Sequence, residues 1–372
     1  MSVNGTGRRL LVVSHPNVVP SNQAVYLELV HRGWDVVGVV PSRWKDHYHP
    51  DGYDTRALEG LEGRLRFVRV GYTGEPQRHF YLANVPKLIR ELKPGIAFIE
   101  QEPFAIPTLQ WGFFLHRMGI PFGIQADENL DRPFPWPAKV IRWWSLPRTH
   151  WIAARSPTAL DVNRAWGAKG KMHVVPHTVP DWQPVERTGD PTFTVGFAGR
   201  LVPEKGITDL LEAVKRLDGP VRLLVVGDGP TRAELEAADL PNATIEIRRR
   251  IPNERVREEG YAEMDVLAVP SRTTETWAEQ FGRVLVEAML CGRPVVGYES
   301  GEIGWVIRTA GGGLVVPEGD IDGLAAALSR LQHSPEERAA LTARGLEGAR
   351  RHFSPQAAAD ALEDLITGKA GT

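Results

Sequence analysis

Cysteine is nearly missing from this chain: Cys291 is the only one in 372 residues. A single thiol excludes an intramolecular disulfide and a thiolate zinc cluster, and it suits a reducing cytoplasm. An excess of one charge sign is missing too. The formal net charge of −2 gives no field for holding nucleic acid. The one basic run, Arg248-Arg249-Arg250, is as short as a solvated strand end. No apolar stretch reaches the ~20 residues of a membrane span. The opening MSVNGTGRRL is polar and runs straight into a short apolar strand, which does not read as a signal peptide. Short-period repeats and low-complexity tracts are lacking. His47 and His49, two apart in a polar loop, make no metal site, and no other metal-ligand set is visible. What remains is 42% hydrophobic and 24% charged, an ordinary globular composition, over a length that suggests two domains.

What is present is alternation. LLVVSH (Leu10–His15), DVVGVV (Asp35–Val40), GIAFIE (Gly95–Glu100), PFGIQA (Pro121–Ala126), HWIAARS (His150–Ser156) and MHVVPH (Met172–His177) are short apolar runs separated by helical patterns. In the first of these patterns Val25, Leu29 and Trp34 lie near one face, and Gly33 ends the helix. Such runs argue for parallel βα units with both sheet faces covered. TVPDWQPVERTGDPT (Thr178–Thr192) carries three prolines and no helical period, and reads as a linker with its bend in the proline-free stretch Val185 to Asp190. Alternation then restarts at FTVGFAG (Phe193–Gly199) and continues to GGLVVPEGD (Gly312–Asp320). The expected fold is α/β: two Rossmann-like doubly wound domains facing a cleft. The expected boundaries are 1–180, a linker at 181–192, and 193–353. Ligands of such sheets sit beyond the carboxyl ends of the strands.

Two stretches carry chemistry. In VGFAGRLVPEKGI, Gly199 lets the backbone approach an anion, Arg200 can grip phosphate oxygens in a fork, and Lys205 adds a mobile charge. A helix from Glu204 onward would add its free N–H groups. The plainer reading is a βα turn with two solvated cations. In EQFGRVLVEAMLCGRPVVGY, Glu279 and Glu287 lie eight residues apart, with Gly282 heading an apolar-periodic helix. Carboxylates accept hydrogen bonds only, which suits vicinal hydroxyls: Glu287 for a ribose, Glu279 for a sugar. The plainer readings are an i,i+4 ion pair of Glu287 with Arg283, and a helix-start acid at Glu279.

The order and spacing of GFAGRLVPEKGI, VVGDGP, VPSR…EQFGRVLVEAMLCGRPVV and GGGLVVPEGD resemble the C-terminal domain of the retaining glycosyltransferases of family 4, the group 1 glycosyltransferases with the GT-B fold. The N-terminal half resembles them more loosely. The resemblance implies a nucleotide diphosphate sugar as donor, UDP- or GDP-linked. Its diphosphate would rest on Gly199, Arg200 and Lys205, its sugar on Glu279 and the backbone of Phe281 and Gly282. Its ribose would rest on Glu287 and its base near Arg250 and Ile251. Glu279, Arg200 and Lys205 would carry the reaction. It implies transfer to a sugar, lipid-linked or small-molecule acceptor, with retention of anomeric configuration, no metal and no further cofactor. It also implies that the last helix, at 354–368, packs back on the N-terminal domain. A nucleotide-sugar 2-epimerase on the same fold and a non-catalytic nucleotide-sugar binding protein are the other readings.

Departures from the family fall mostly on the acceptor side. Its glycine-rich first loop is PNVVPSNQ here, with Asn22 within it, and its usual donor-contacting His is replaced by DENLDRP. Of its Asp127, Glu128 and Asn129, one of the two acids takes that role on the acceptor side, or the segment is a capped polar loop. His177 stands where the family carries Asn, and reads as a hydrogen-bonded structural residue or as a residue of the cleft. Finally, RPFPWPAKVIRWWSLPRTHW (Arg132–Trp151) interleaves tryptophan with Lys139, Arg142 and Arg148. It reads as a core helix from Ala138 to Leu146, or as a peripheral membrane contact on the inner face of the membrane.

Overall fold

The computed structural model describes residues 8–45, 49–249, 251 and 255–369. His47 and Arg250 lie outside them. The chain divides into two compact units. Unit 1 is Met1–Pro180 with Pro355–Thr372, and unit 2 is Asp181–Ser354.

Unit 1 is built on seven strands: β1 (Arg9–Ser14), β2 (Asp35–Pro41), β3 (Leu65–Val68), β4 (Ile96–Glu100), β5 (Phe122–Ala126), β6 (Trp151–Ala154) and β7 (Lys171–Val174). Their order is β7-β6-β5-β4-β1-β2-β3, and every pairing is parallel. β4 and β5 are buried along their whole length, so the strand residues are apolar without alternation, as a sheet covered on both faces requires. One face packs Val25 and Leu29 of helix α1 (Ala24–His31) with Ala358, Leu362 and Leu365 of the last helix, Pro355–Thr367. Arg32 pairs with Asp360 across that contact. Beneath the other face lie Ile89, Trp111 and Leu115. β3 and the short pairs Arg43–Trp44 with Tyr53–Asp54 and Val70–Gly71 with Phe80–Tyr81 were not legible in the apolar pattern.

Unit 2 has six strands: β8 (Phe193–Ala198), β9 (Val221–Val226), β10 (Ala243–Arg248), β11 (Val266–Val269), β12 (Val295–Tyr298) and β13 (Gly313–Val316). Their order is β10-β9-β8-β11-β12-β13, again all parallel. Val185 to Asp190, where the sequence places a bend, is bonded into this unit. The Val185 carbonyl accepts from Arg293 at 2.9 Å, and the Thr188 N–H donates to Ala262 at 2.9 Å. The Arg187 guanidinium reaches Asp265 at 3.1 Å. Bending there would break these bonds, so the segment is not a free linker. Among the described residues, no helix is long and apolar enough to cross a membrane.

Each sheet reverses strand order once: between β1 and β4 in unit 1, and between β8 and β11 in unit 2. Such a reversal is where doubly wound sheets leave a crevice outside the carboxyl ends of the strands and hold ligands.

Candidate functional site

In unit 2 the crevice lies between the turn after β8 and the turn after β11. Gly199 follows β8 with φ +149°, and a side chain there would meet nothing within 4 Å. Arg200 is exposed, with no side-chain partner among the described residues. The sequence places a helix start at Glu204. Instead Pro203–Lys205 make one 3-10 turn, Gly206 turns the chain at φ +68°, and helix α2 (Ile207–Val214) begins after it. The reason is steric. A Cβ on residue 206 would lie 1.8 Å from the Pro270 carbonyl oxygen, so only glycine lets this turn close onto the end of β11.

That close approach carries Lys205 to Glu279. The Lys205 Nζ pairs with Glu279 Oε2, and both side chains are largely buried. Nζ also lies 5.0 Å from the centre of the Trp277 ring, and Ser271 Oγ is 3.4 Å from the same carboxylate oxygen. Two residues 74 apart in sequence thus form one charged pair at the switch point.

Glu287 lies on helix α3 (Arg283–Leu290). Its Oε2 accepts from the Tyr261 hydroxyl at 2.8 Å, and Arg283 Nε is 3.8 Å from Oε1. The i,i+4 contact therefore exists, but the firmer anchor is Tyr261, which sequence reasoning missed. Burial, then the adjacent Glu287 charge, push the Tyr261 phenol well above its usual range, so it stays a donor. Gly282 caps the helix, and Phe281 is buried against Trp305 and Phe353. Arg248 and Arg249 of the basic run at the end of β10 are paired rather than solvated. Arg248 holds Glu246 and Glu263 at 2.6 Å each, and Arg249 forks onto Asp228 at 2.8 and 3.0 Å. Ile251 is half-buried.

The crevice of unit 1 holds a polar cluster that the sequence showed only in part. His15 follows β1 and Gln101 follows β4, and their side chains are hydrogen-bonded. The rings of His15, Trp44 and His79 pack against one another, tilted or edge-on, with centres 5.2–5.3 Å apart. Burial, then the neighbouring His79, depress His15 to about 3; burial depresses His79 to about 4. Next to them, Glu102 Oε1 accepts from the backbone N–H groups of Asp127 and Glu128 at 2.8 and 2.9 Å. Its Oε2 is buried, with no hydrogen-bond partner among the described residues. Burial, then the Asp127 charge, raise the Glu102 carboxyl well above the usual range, which favours its neutral form. Asp127 goes the other way. Burial opposes its charge, but His177, 2.8 Å from Oδ1, and Arg155 bring it down to about 2. Arg155 also reaches Glu100 at 2.6 Å, and Glu100 accepts from Tyr26 at 2.7 Å.

Asp127 is thus a charged acceptor at the carboxyl edge of β5, partnered by His177. Glu128 is buried and forked by Arg132 at 2.8 and 3.0 Å. Asn22 braces its own loop by donating to the Pro16 carbonyl at 2.8 Å. Asn129 is buried beside them. His15 was visible as a histidine ending a strand, a signal passed over. His79 and Glu102 had no signal beyond residue type. Among the described residues no three His, Cys, Asp or Glu side chains are grouped to hold a metal ion.

The sequence profile described as "Glycosyl transferases group 1" matches residues 192–334. A GDP-mannose-dependent alpha-mannosyltransferase of Mycobacterium tuberculosis is 34% identical over 356 residues, 91% of this chain and 83% of that protein. The chain belongs to the group 1 glycosyltransferases. The LpsD lipopolysaccharide core glycosyltransferase of Rhizobium meliloti is 35% identical over 177 residues, and there the match spans 47% of this chain and 49% of the relative. A third comparison bears on the fold alone. Anabaena Alr3699/HepE, solved with UDP-glucose, superposes with TM-score 0.68 at 16% identity, covering 97% of this chain and 99% of that one. The fold of this group 1 glycosyltransferase is of the GT-B type. The profile match covers the turns that bear Arg200, Lys205 and Glu279 and the helix that bears Glu287.

Proposed function

We propose that this chain transfers a sugar from a UDP- or GDP-linked nucleotide diphosphate sugar to an acceptor hydroxyl, retaining the anomeric configuration as family 4 enzymes do. Cell-envelope polysaccharide, glycolipid or small-glycoside synthesis in the cytoplasm is the setting that fits. One observation carries the reading: Lys205 and Glu279 are held together at the switch point of unit 2, beside a turn at Gly199 with open space where a side chain would be.

In this reading the donor diphosphate lies along Gly199, with Arg200 and Lys205 on its oxygens. Lys205 exchanges the Glu279 carboxylate for phosphate, and Glu279 is released to accept from hydroxyls of the transferred sugar. Glu287, steadied by Tyr261, takes the ribose hydroxyls, and the base lies near Arg250 and Ile251. As the bond from the anomeric carbon to the phosphate oxygen breaks, negative charge grows on the leaving diphosphate. Arg200 and Lys205 stabilise that charge without a metal. The acceptor oxygen forms the new bond on the same face, and its proton passes to the departing phosphate oxygen. Asp127, with Asn22 and the Glu128 loop, faces the acceptor, and peripheral membrane contact through 132–151 brings a lipid-linked acceptor within reach. The named donors of the mannosyltransferase relative and of the HepE complex support a nucleotide sugar of either base.

The test is incubation with UDP- and GDP-sugars and candidate acceptors, followed by detection of free nucleoside diphosphate and the anomeric configuration of the product. Release with a retained product supports the reading. A nucleotide sugar epimerised without release, or an inverted product, overturns it.

A further inference from the structure

The tryptophan-rich stretch forms a helix, α4, taken here as Trp136–Ser145. It packs against Ile106–Arg117 of the same unit. Its inner face is Ile141 and Ser145, both buried. Its outer face is unusual. Trp136 is 76% exposed, Val140 52% and Trp143 74%. Spaced four and three residues apart, they form one stripe along the helix. Lys139 is exposed at the border of that stripe. Phe113, 41% exposed on the neighbouring helix, extends the patch, and its ring lies 6.2 Å from that of Trp144. A core helix, the plainer reading of the sequence, would bury these indoles; it accounts for Ile141 and not for Trp136 or Trp143.

The two segments that form this face carry charge of one sign only. Neither 103–126 nor 132–160 contains an Asp or Glu, although the whole chain is net negative. Arg117 lies over Phe113 at 5.9 Å, and Arg148 over Trp144 at 4.9 Å. Arg142 lies over Trp166 at 4.1 Å. Two acids just before the second segment are engaged: Glu128 by Arg132 and Asp131 by the Trp166 indole N–H. Exposed indoles beside cations, with no acid among them, match the boundary layer of an anionic bilayer, where indoles take headgroup depth and cations meet lipid phosphate.

We propose that Trp136, Val140 and Trp143, flanked by Lys139, Arg117 and Arg148, are the surface by which this protein docks on anionic phospholipid. The proposal rests on the membrane contact named in the proposed function and assigns its residues and its lipid class. The test uses the full chain with vesicles of phosphatidylglycerol in phosphatidylcholine, and with phosphatidylcholine alone, read by co-sedimentation. Wild type should partition onto the anionic vesicles and lose them at high salt. Trp136→Ser with Trp143→Ser should weaken partitioning about tenfold or more, and Lys139→Glu should weaken it on anionic vesicles only. Both changes are at exposed positions, so the thermal midpoint should hold. Wild type remaining in the supernatant with both vesicles overturns the proposal, as does undiminished binding by the double variant. So does a concentration-dependent dimer that the double substitution abolishes without any vesicle binding, because the stripe is then a protein interface. Nucleoside diphosphate release with a soluble acceptor reads the transferase chemistry separately: its loss in wild type overturns that chemistry, and its persistence beside failed vesicle binding overturns only the docking surface.

Discussion

Acid should loosen unit 1 through two histidines. His15 and His79 are neutral in the folded chain because burial holds them at about 3 and about 4, against an ordinary 6.5. A histidine whose folded value lies below its unfolded value adds stability that is complete above 6.5 and is lost as pH falls toward the folded value. Between 6.5 and pH 5 the descent is about 1.5 pH units, which at about 1.4 kcal/mol per unit removes about 2 kcal/mol for each histidine. Their surroundings modulate this: Asp127 and Gln101 favour protonation of His15 while the neighbouring His79 disfavours it, and the Glu75 and Pro76 carbonyls favour protonation of His79. Glu102 acts in the opposite sense, since its raised carboxyl stabilises the fold at low pH and less as pH rises. The clean quantity is therefore a difference between proteins. His15→Asn and His79→Asn keep a polar atom near Nδ1, where Gln101 and the Pro76 carbonyl are met, but cannot titrate. Calorimetric unfolding at pH 8 and pH 5 should show wild type losing about 4 to 8 °C more than either single variant between the two pH values. The variants should melt lower at pH 8, having lost ring packing on Trp44. An equal drop from pH 8 to pH 5 in wild type and in the double variant would refute the reasoning.

Arg200→Ala and Lys205→Ala should each slow transfer about a hundredfold or more, since each removes a donor to charge that grows on the leaving diphosphate. Steady-state kinetics with near wild-type turnover in both would remove the phosphate assignment. Lys205→Ala should also lower the melting point, because the largely buried Glu279 carboxylate loses the cation paired with it. Glu287→Gln should weaken nucleoside diphosphate binding, measured by calorimetry, more than Glu279→Gln does, while Glu279→Gln should cost more in kcat. Unchanged UDP and GDP affinity in Glu287→Gln would leave that residue to Tyr261 and Arg283 alone. Gly199→Ala should fold but bind donor poorly, its Cβ standing in the open space over the turn. Gly206→Ala should lose several kcal/mol of stability, about 1–2 of them from the left-handed backbone and the rest from the Pro270 carbonyl. Circular dichroism with donor titration separates the two.

Much of this molecule is local information. Runs such as LLVVSH and FTVGFAG are apolar without alternation, and their spacing by helical segments already means parallel strands covered on both faces. Lys205, Glu279 and Glu287 were visible as residues, because charge beside glycine at a strand end is rare and chemically pointed. Their pairing was not visible. Lys205 meets Glu279 only because Gly206 lets one turn close on the Pro270 carbonyl, and that contact joins strands far apart in the chain. The helix start was misplaced for the same reason: Gly206 takes a left-handed backbone that local propensity does not require. His15, His79 and Glu102 are ordinary residue types at unremarkable positions, and strand order alone brings them to one crevice. Burial there sets which of them carries charge. On α4 the sequence spaced the tryptophans, but packing against Ile106–Arg117 decided which face is covered. Periodicity thus belongs to the sequence, because it reports short-range geometry. Partner, charge state and exposure belong to the tertiary fold, because each depends on atoms from segments that the chain separates and only the sheets bring together.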